Sequence, residues 1–462
     1  MGDSSEAKRV RNRLALRDGA LNLDLDLSRR DVLKIAGYGS LAAFIAACGG
    51  GTATSTGITA KGGTMSLGSY NTDPNSLKGT KAIVDAFTSA NGGTKVKINT
   101  VDHGTFQNQI SSYLQGTPED AFTWFSGHRM RFFADKGLAT PIDDVWDAVK
   151  SNYTEGFAAS IKGNDGHAYA IPTDYYPWAV FYRKDVWAAH GYSVPTNWDA
   201  FKALCVQMKK DGLIPIAFAD KDGWPAQGTF DIINLRLNGY DFHTELLTGK
   251  QKWTDPRVTA VYKKWSEIAP QYYSPAFAGL KWEEGADQLL RKQAGMYLLG
   301  LFVSDEFKAS GTPADLEQLD FFPFPDLGTQ YDAEKALDAP IDVYMLTKKS
   351  PTLSADLGQA KAFMEFVAKG STQVLYWQNA PGSIPTANDA DKSQYPALTA
   401  KAVSIVSNAK RITQYFDRDS RPDYSGPNGM QGFLLKFLAN TSKDPTSLQG
   451  EMQKFWDSLP PE

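Results

Sequence analysis

The chain has 462 residues and a formal net charge of −4 at pH 7, which argues against a nucleic-acid partner because such a partner needs a basic face. Its length is too great for one compact core, so two lobes are expected. Aromatic residues make up 12%, with 11 Trp and 20 Tyr, more rings than a generic core requires.

The first 27 residues are charged and form a long n-region, with Lys8, Arg9, Arg11, Arg13 and Arg17. Ser28-Arg29-Arg30, followed by Leu33 and Lys34, reads as a twin-arginine export signal, with Val32 where that pattern prefers Phe. Residues 35–47 are modestly apolar and too short to span a bilayer as a helix of ~20 residues. They end in Ile45-Ala46-Ala47-Cys48, which resembles the lipobox of bacterial lipoproteins. That resemblance implies that residues 1–47 are a signal peptide and that Cys48 is acylated as the first mature residue. Two acyl chains, at ~0.8 kcal/mol per buried methylene, suffice for stable anchoring. Residues 48–62 are rich in Gly, Thr and Ser and read as a flexible tether. With Cys48 committed to lipid, Cys205 is left alone; it lies in a helical pattern and reads as a small buried apolar residue.

Residues 64–68 predict a first strand, followed by the loop Ser69-Tyr70-Asn71-Thr72-Asp73-Pro74. Ile83, Val84 and Phe87 lie at helical spacing, and Asn91-Gly92-Gly93 ends that helix. Val96, Ile98 and Val101 predict a second strand, and Phe106, Ile110, Tyr113 and Leu114 one face of a helix. The apolar run 121–125 suits a buried parallel strand, with Asp120 as its turn or cap. A short helix is predicted over 142–149, strands over 168–172 and 179–182, a short helix over 186–189, and an amphipathic helix over 198–210. A strand over 214–219 precedes a Gly/Pro loop holding Trp224. Residues 258–268 read as helix and 294–298 as strand. The run Phe321-Phe322-Pro323-Phe324-Pro325 reads as a linker stiffened by its prolines. Phe363, Phe366 and Val367, then Phe433, Leu434, Phe437 and Leu438, mark two further helix faces. The rhythm is α/β.

By residue 302 the order of segments resembles the family 1 extracellular solute-binding proteins of ABC importers. Pro118-Glu119-Asp120 before an apolar strand is one point of likeness, and Lys136-Gly137-Leu138 through Pro141-Ile142 is another. Others are Phe181-Tyr182-Arg183-Lys184-Asp185, with Arg183 replacing the usual Asn, and Gly191 through Trp198. Two more are the segment 293–302, with Phe302 where the family carries Trp, and Pro381-Gly382-Ser383-Ile384-Pro385. The resemblance implies a two-lobed periplasmic-binding-protein-like α/β fold of class II. Its lobes would be 63–175 with 337–376 and 176–336 with 377–462. It also implies a monomer outside the cytoplasmic membrane, closing by a hinge on a carbohydrate and passing it unaltered to a permease.

Loops after strands supply the candidate cleft residues, and ligands in such sheets sit beyond the carboxyl ends of strands. They are Tyr70 and Asp73 after the first strand, His103 after the second, and Trp124, His128 and Arg129 around the third. Gly127 stands where the family places a gripping side chain, so His128 or Arg129 would have to replace it. Tyr176 and Trp178 lie at the first crossing, Trp224 and Phe302 after later strands, and Asp338, Asp342 and Tyr344 at the second crossing. Asp423 lies in a late loop. Rings to stack on sugar faces beside carboxylates and imidazoles suit a carbohydrate. A polyol phosphate held by Arg129 and Arg183, or a polyamine held by Asp73, Asp174 and Asp342, is the alternative cargo. A lipid-tethered carbohydrate-active enzyme is a further alternative. The Glu283-Glu284 pair it might use suits the start of a helix, and no hydrolase, nucleotide-binding or metal-ligating motif occurs. No catalytic residue, cofactor or metal is therefore expected.

Overall fold

The strand-like runs of the sequence are gathered into two separate main sheets. The computed structural model describes residues 62–348, 350 and 357–461. The expected signal peptide, Cys48 and all but the last residue of the expected tether lie outside them.

The first sheet has six strands in the order β11-β4-β10-β3-β1-β2. These are β1 (Gly63–Ser69), β2 (Thr94–Thr100), β3 (Ala121–Phe125), β4 (Ala170–Tyr175), β10 (Ile341–Leu346) and β11 (Ile384–Pro385). β1 lies parallel to β2 and β3, while β10 runs antiparallel to β3 and β4. Parallel neighbours need helical crossovers, and the helix Pro74–Ala90 is the first of them. Asp73 starts it by accepting from the Asn75 and Ser76 backbone N–H groups, with proline in the first turn, where its missing N–H costs nothing. Its buried stripe is Ile83, Val84 and Phe87; Phe87 packs edge-on against Phe363 at 5.2 Å, and full burial of such a ring stabilises by ~1.5–3 kcal/mol. Buried Asp120 accepts the Ser66 backbone N–H at 2.7 Å and so ties β1 to the start of β3.

The second sheet has four strands in the order β6-β7-β5-β8: β5 (Trp178–Arg183), β6 (Ile214–Ala217), β7 (Ala294–Gly300) and β8 (Leu319–Phe322). The presumed linker 321–325 therefore begins inside a strand. Phe321 and Phe322 pair with Phe181 and Val180, and the stiffening prolines act only after the strand has ended. The amphipathic helix Trp198–Lys210 matches its predicted span and buries Cys205. The expected loop around Trp224 is instead the start of a helix, Trp224–Leu247, with Pro225 in its first turn and a kink at Gly239. That helix is buried nearly all round, so it lacks the one-sided stripe that identifies a helix in sequence.

Tyr176 and Pro177 carry the chain from β4 to β5. The return from β8 to β10 passes through β9 (Leu337–Asp338), which pairs in parallel with β12 (Ile412–Thr413). The third passage falls later than expected. β11 pairs with β4, and the Asn388 and Asp389 backbone N–H groups donate to Asn152 at 2.8 and 3.0 Å, so residues 377–389 stay with the first sheet. A boundary after 376 would cut the helix Gly370–Asn379. By Lys401, which reaches Asp320 on β8 at 2.7 Å, the chain lies against the second sheet.

Candidate functional site

A cavity of about 330 Å³ lies where loops of the two sheets and the crossings converge. One wall is aromatic. The Phe302 ring meets Tyr176 at 5.1 Å, Trp282 at 5.0 Å and Trp224 at 5.9 Å, each steeply inclined to it. Trp178 extends this wall and lies 5.1 Å from Tyr415 at 31°. Phe302 follows β7 and Trp224 follows β6, so the second sheet supplies most of the rings.

Part of the polar lining comes from one short segment after β12. Arg418 pairs with Asp342 at 2.8 Å, donates to the Tyr176 hydroxyl at 2.7 Å and lies 3.9 Å over the Phe125 ring. Burial presses the Arg418 guanidinium towards neutrality, but Asp342 and the surrounding groups outweigh it and lift its pKa further. Burial raises the Asp342 carboxyl, while Arg418 pulls it back down. Asp417 accepts from Gln107 at 2.9 Å and faces Arg129 at 3.4 Å. His103 stacks on Tyr70 at 4.7 Å; burial, helped by Arg418, pushes its pKa down to about 3, so the ring is neutral. Burial pushes Glu283 up to about 7, with Asp73 and Asp222 adding to the rise and Lys281 opposing it.

Among the described residues lining the cavity, and apart from the Asp342 and Arg418 atoms that pair with each other, three buried polar atoms lack a hydrogen-bond partner: His103 Nε2, Glu283 Oε2 and Asp417 Oδ1. Such atoms are costly unless something enters to satisfy them. Asp305 sits where the halves meet: its carboxylate accepts the Gly382 N–H at 2.9 Å, and its carbonyl accepts from Asn75 at 2.6 Å. Burial, with Asp73 nearby, holds that carboxyl well above the usual range.

Eight of the fourteen candidates line the cavity: Tyr70, Asp73, His103, Tyr176, Trp178, Trp224, Phe302 and Asp342. The other six lie elsewhere. Trp124 is fully buried and stacked on Phe125, because β3 is covered on both faces. Tyr344 is buried behind the cleft, edge-on to Phe363. His128 opens the helix His128–Asp135 away from the cavity, and Arg129 stands behind Asp417 and under Gln107 O at 3.2 Å. Asp423 pairs with Arg421 at 2.6 Å. Asp338 is fully buried behind the cleft. Gly127 has φ +86°, and a Cβ there would come within 3.0 Å of Asp419, which explains the glycine where a gripping side chain was sought. Arg183, a candidate anion ligand, is spent on Asp185 and Asp315, both at 2.9 Å.

Sequence reading missed Asp305, Trp282, Tyr415, Asp417 and Arg418, and took Glu283 only as a first-turn acid. Glu283 is in that first turn and lines the cavity as well. Among the described residues no group of three His, Cys, Asp or Glu could hold a metal, and no helix is long and apolar enough to cross a membrane.

Two α/β lobes joined by crossings, with a ring-lined polar cavity at their junction, define a receptor for a small solute. The chain belongs to the bacterial extracellular solute-binding proteins, whose family model matches residues 71–373. It is 38% identical to the bacterial solute receptor AcbH, with a TM-score of 0.80, covering 86% of this chain and 98% of that one. The AcbH structures are described as revealing an exclusive preference for β-D-galactopyranose. The chain is also 26% identical to an uncharacterised ABC transporter extracellular-binding protein of Pyrococcus horikoshii, over 71% of this chain and 73% of that protein. Its identity to the alpha-glucosides-binding periplasmic protein AglE of Rhizobium meliloti is 24%, over 82% and 84% of the two chains.

Proposed function

We propose that this chain captures a neutral carbohydrate of one or two rings in the cleft and delivers it unaltered to the permease of an ABC importer. The observation that carries this reading is a wall of rings and unpartnered buried polar atoms lining the same cavity. Sugar C–H faces suit the rings, and hydroxyls suit the carboxylates, the Arg418 guanidinium and the neutral His103 imidazole. The cavity is at the small end of ligand sites, which run from ~300 to 1,000 Å³, and this favours a short sugar over a long one. β-D-galactopyranose is the first candidate, on the likeness to AcbH.

The same reading places the body outside the cytoplasmic membrane as a monomer. Export follows the twin-arginine signal at 28–34, and diacylated Cys48 holds the body to the membrane. Membrane fractionation tests the last point: Cys48→Ser should move the protein to the soluble fraction.

Thermal-shift titration of the mature protein with D-galactose, short oligosaccharides, glycerol phosphate and spermidine tests the cargo. A thousandfold excess of a sugar over its Kd should raise apparent stability by ~4 kcal/mol. Stabilisation by glycerol phosphate or spermidine alone, or a chemically changed sugar after incubation, refutes the reading.

A further inference from the structure

The segment 412–419 is a strap that reaches both halves of the molecule and delivers Tyr415, Asp417 and Arg418 to the cavity. We propose that Asp231 and Asp338 are positioning residues for cargo capture: buried behind the cleft with no pairing cation, they hold this strap as long as they are not both ionised. The inference rests on the cleft being the cargo site.

The strap needs holding. Tyr415 has φ +114°, a backbone conformation that L side chains seldom adopt and that persists only where the surroundings impose it. Its hydroxyl donates to the Trp224 carbonyl and accepts from the Gly228 N–H. The next residue, Phe416, donates its backbone N–H to Asp231 at 2.6 Å. On the other side of the strained residue, Thr413 donates its hydroxyl to Asp338. The two carboxyl groups thus grip the strap on either side of its strained point, Asp231 from the helix Trp224–Leu247 and Asp338 from β9.

Both carboxyl groups are fully buried, and each keeps one oxygen without a hydrogen-bond partner, Asp231 Oδ1 and Asp338 Oδ2. Among the described residues no Lys or Arg pairs with either of them. The charged and titratable groups facing the pair are Asp417, Asp419, Tyr415 and His243. Asp417 is met by Arg129, while Arg131, His128 and Arg418 face Asp419. His243 lies 3.7 Å from Asp231, but it brings no charge. Asn238 donates to Asn234 Oδ1, which leaves the Asn234 amide to donate to His243 Nδ1 at 3.0 Å. That fixes a neutral imidazole, and burial pushes its pKa down to about 3.

Two buried carboxyl groups with no cation between them cannot both ionise at neutral pH. Burial, with Asp338 beside it, holds Asp231 well above the usual range, and burial lifts Asp338 to about 8. While at least one of them keeps its proton, the oxygens that accept from Phe416 and Thr413 keep both grips. Ionisation of both leaves two uncompensated like charges buried behind the strap.

The test compares wild type, Asp338→Asn and Asp231→Asn as full-length proteins. One arm measures hydrogen-exchange protection over 412–419 at pH 7 and pH 9 without cargo, corrected for intrinsic exchange. The other measures D-galactose Kd by calorimetry at the same pH values. Wild type should lose strap protection and bind about tenfold more weakly at pH 9. An asparagine at either position supplies a permanent donor, so each variant should hold protection and affinity within about twofold. Strap protection that is independent of pH in wild type, or an alkaline loss that persists in both variants, overturns the proposal. Absence of galactose binding at every pH counts against the cargo alone, and the exchange arm still decides on the pair.

Discussion

Gly382→Ala should weaken cargo binding while leaving the cargo-free fold intact. Gly382 lies just before β11, on the first sheet, and its N–H reaches Asp305 on the second-sheet side at 2.9 Å. A Cβ built there would fall 2.4 Å from Phe302 Cα, 2.9 Å from Phe302 N and 2.8 Å from Asp305 Oδ2. Comfortable carbon contacts are ~3.5–4.0 Å, so the backbone of one side must retreat by about an ångström or more. Forcing an extra methyl into a packed contact costs ~1–3 kcal/mol. The clash exists only while the two halves are apposed, so its cost falls on the closed, cargo-bound state. At ~1.4 kcal/mol per tenfold, Kd for D-galactose should rise roughly 5- to 150-fold. Calorimetry gives the Kd, a cargo-free melt verifies the fold, and small-angle scattering with saturating sugar reports closure. A Kd within twofold of wild type, with full compaction on sugar, refutes the argument that this contact belongs to closure.

Arg418→Met should destabilise by ~3–5 kcal/mol in a denaturant titration and abolish cargo binding, because it leaves buried Asp342 without its partner at 2.8 Å. Adding Asp342→Asn should recover stability but not binding. Trp224→Ala and Phe302→Ala should each cost ~1–2 kcal/mol of cargo affinity by calorimetry with little change in folding; unchanged affinity in both removes the aromatic wall from the site. Cys205 is fully buried, and burial lifts its thiol pKa to about 12, so a thiol reagent at pH 8 should modify it no faster than the protein unfolds. Folding stability should decline from pH 5 to pH 7.5. Burial lifts Asp174 and Asp220 to about 7, far above the ~3.9 of an unfolded chain, so the fold retains protons that the unfolded chain releases. Stability from such groups is full below pH ~4 and lost as pH rises to 7, by ~1.4 kcal/mol per pH unit for each retained proton. Glu267, held down near 2 by Lys202, Lys264 and Trp198 against its partial burial, pulls the other way only below pH ~5. Urea midpoints that stay level or rise over this range refute the account.

The α/β order was legible because apolar runs and turn residues are local signals. The strands β1, β2, β3, β5 and β7 and the helix Trp198–Lys210 all fall where those signals lie. The rule that sites follow strands located Tyr70, His103, Trp224 and Phe302. It failed at Trp124 and Tyr344, since a strand buried on both faces gives no alternation to say which rings point at the cleft. It also gave nothing for Tyr415, Asp417 and Arg418. These follow a two-residue strand, Tyr415 just before a four-residue helix and Asp417 and Arg418 within it, and what brings them to the cavity is partners far away in the chain. The third crossing was misplaced for a related reason: β11 is only Ile384-Pro385, and its membership of the first sheet is set by β4.

The strap's contacts span most of the polypeptide, 242 residues between Tyr176 and Arg418 and 310 between Gln107 and Asp417. Synthesis runs from the N-terminus, so every strand of both main sheets is made before residue 412 leaves the ribosome. A nascent chain therefore acquires its scaffold first and its grip last. Until residues 415–418 have emerged, the cleft lacks Tyr415, Asp417 and Arg418.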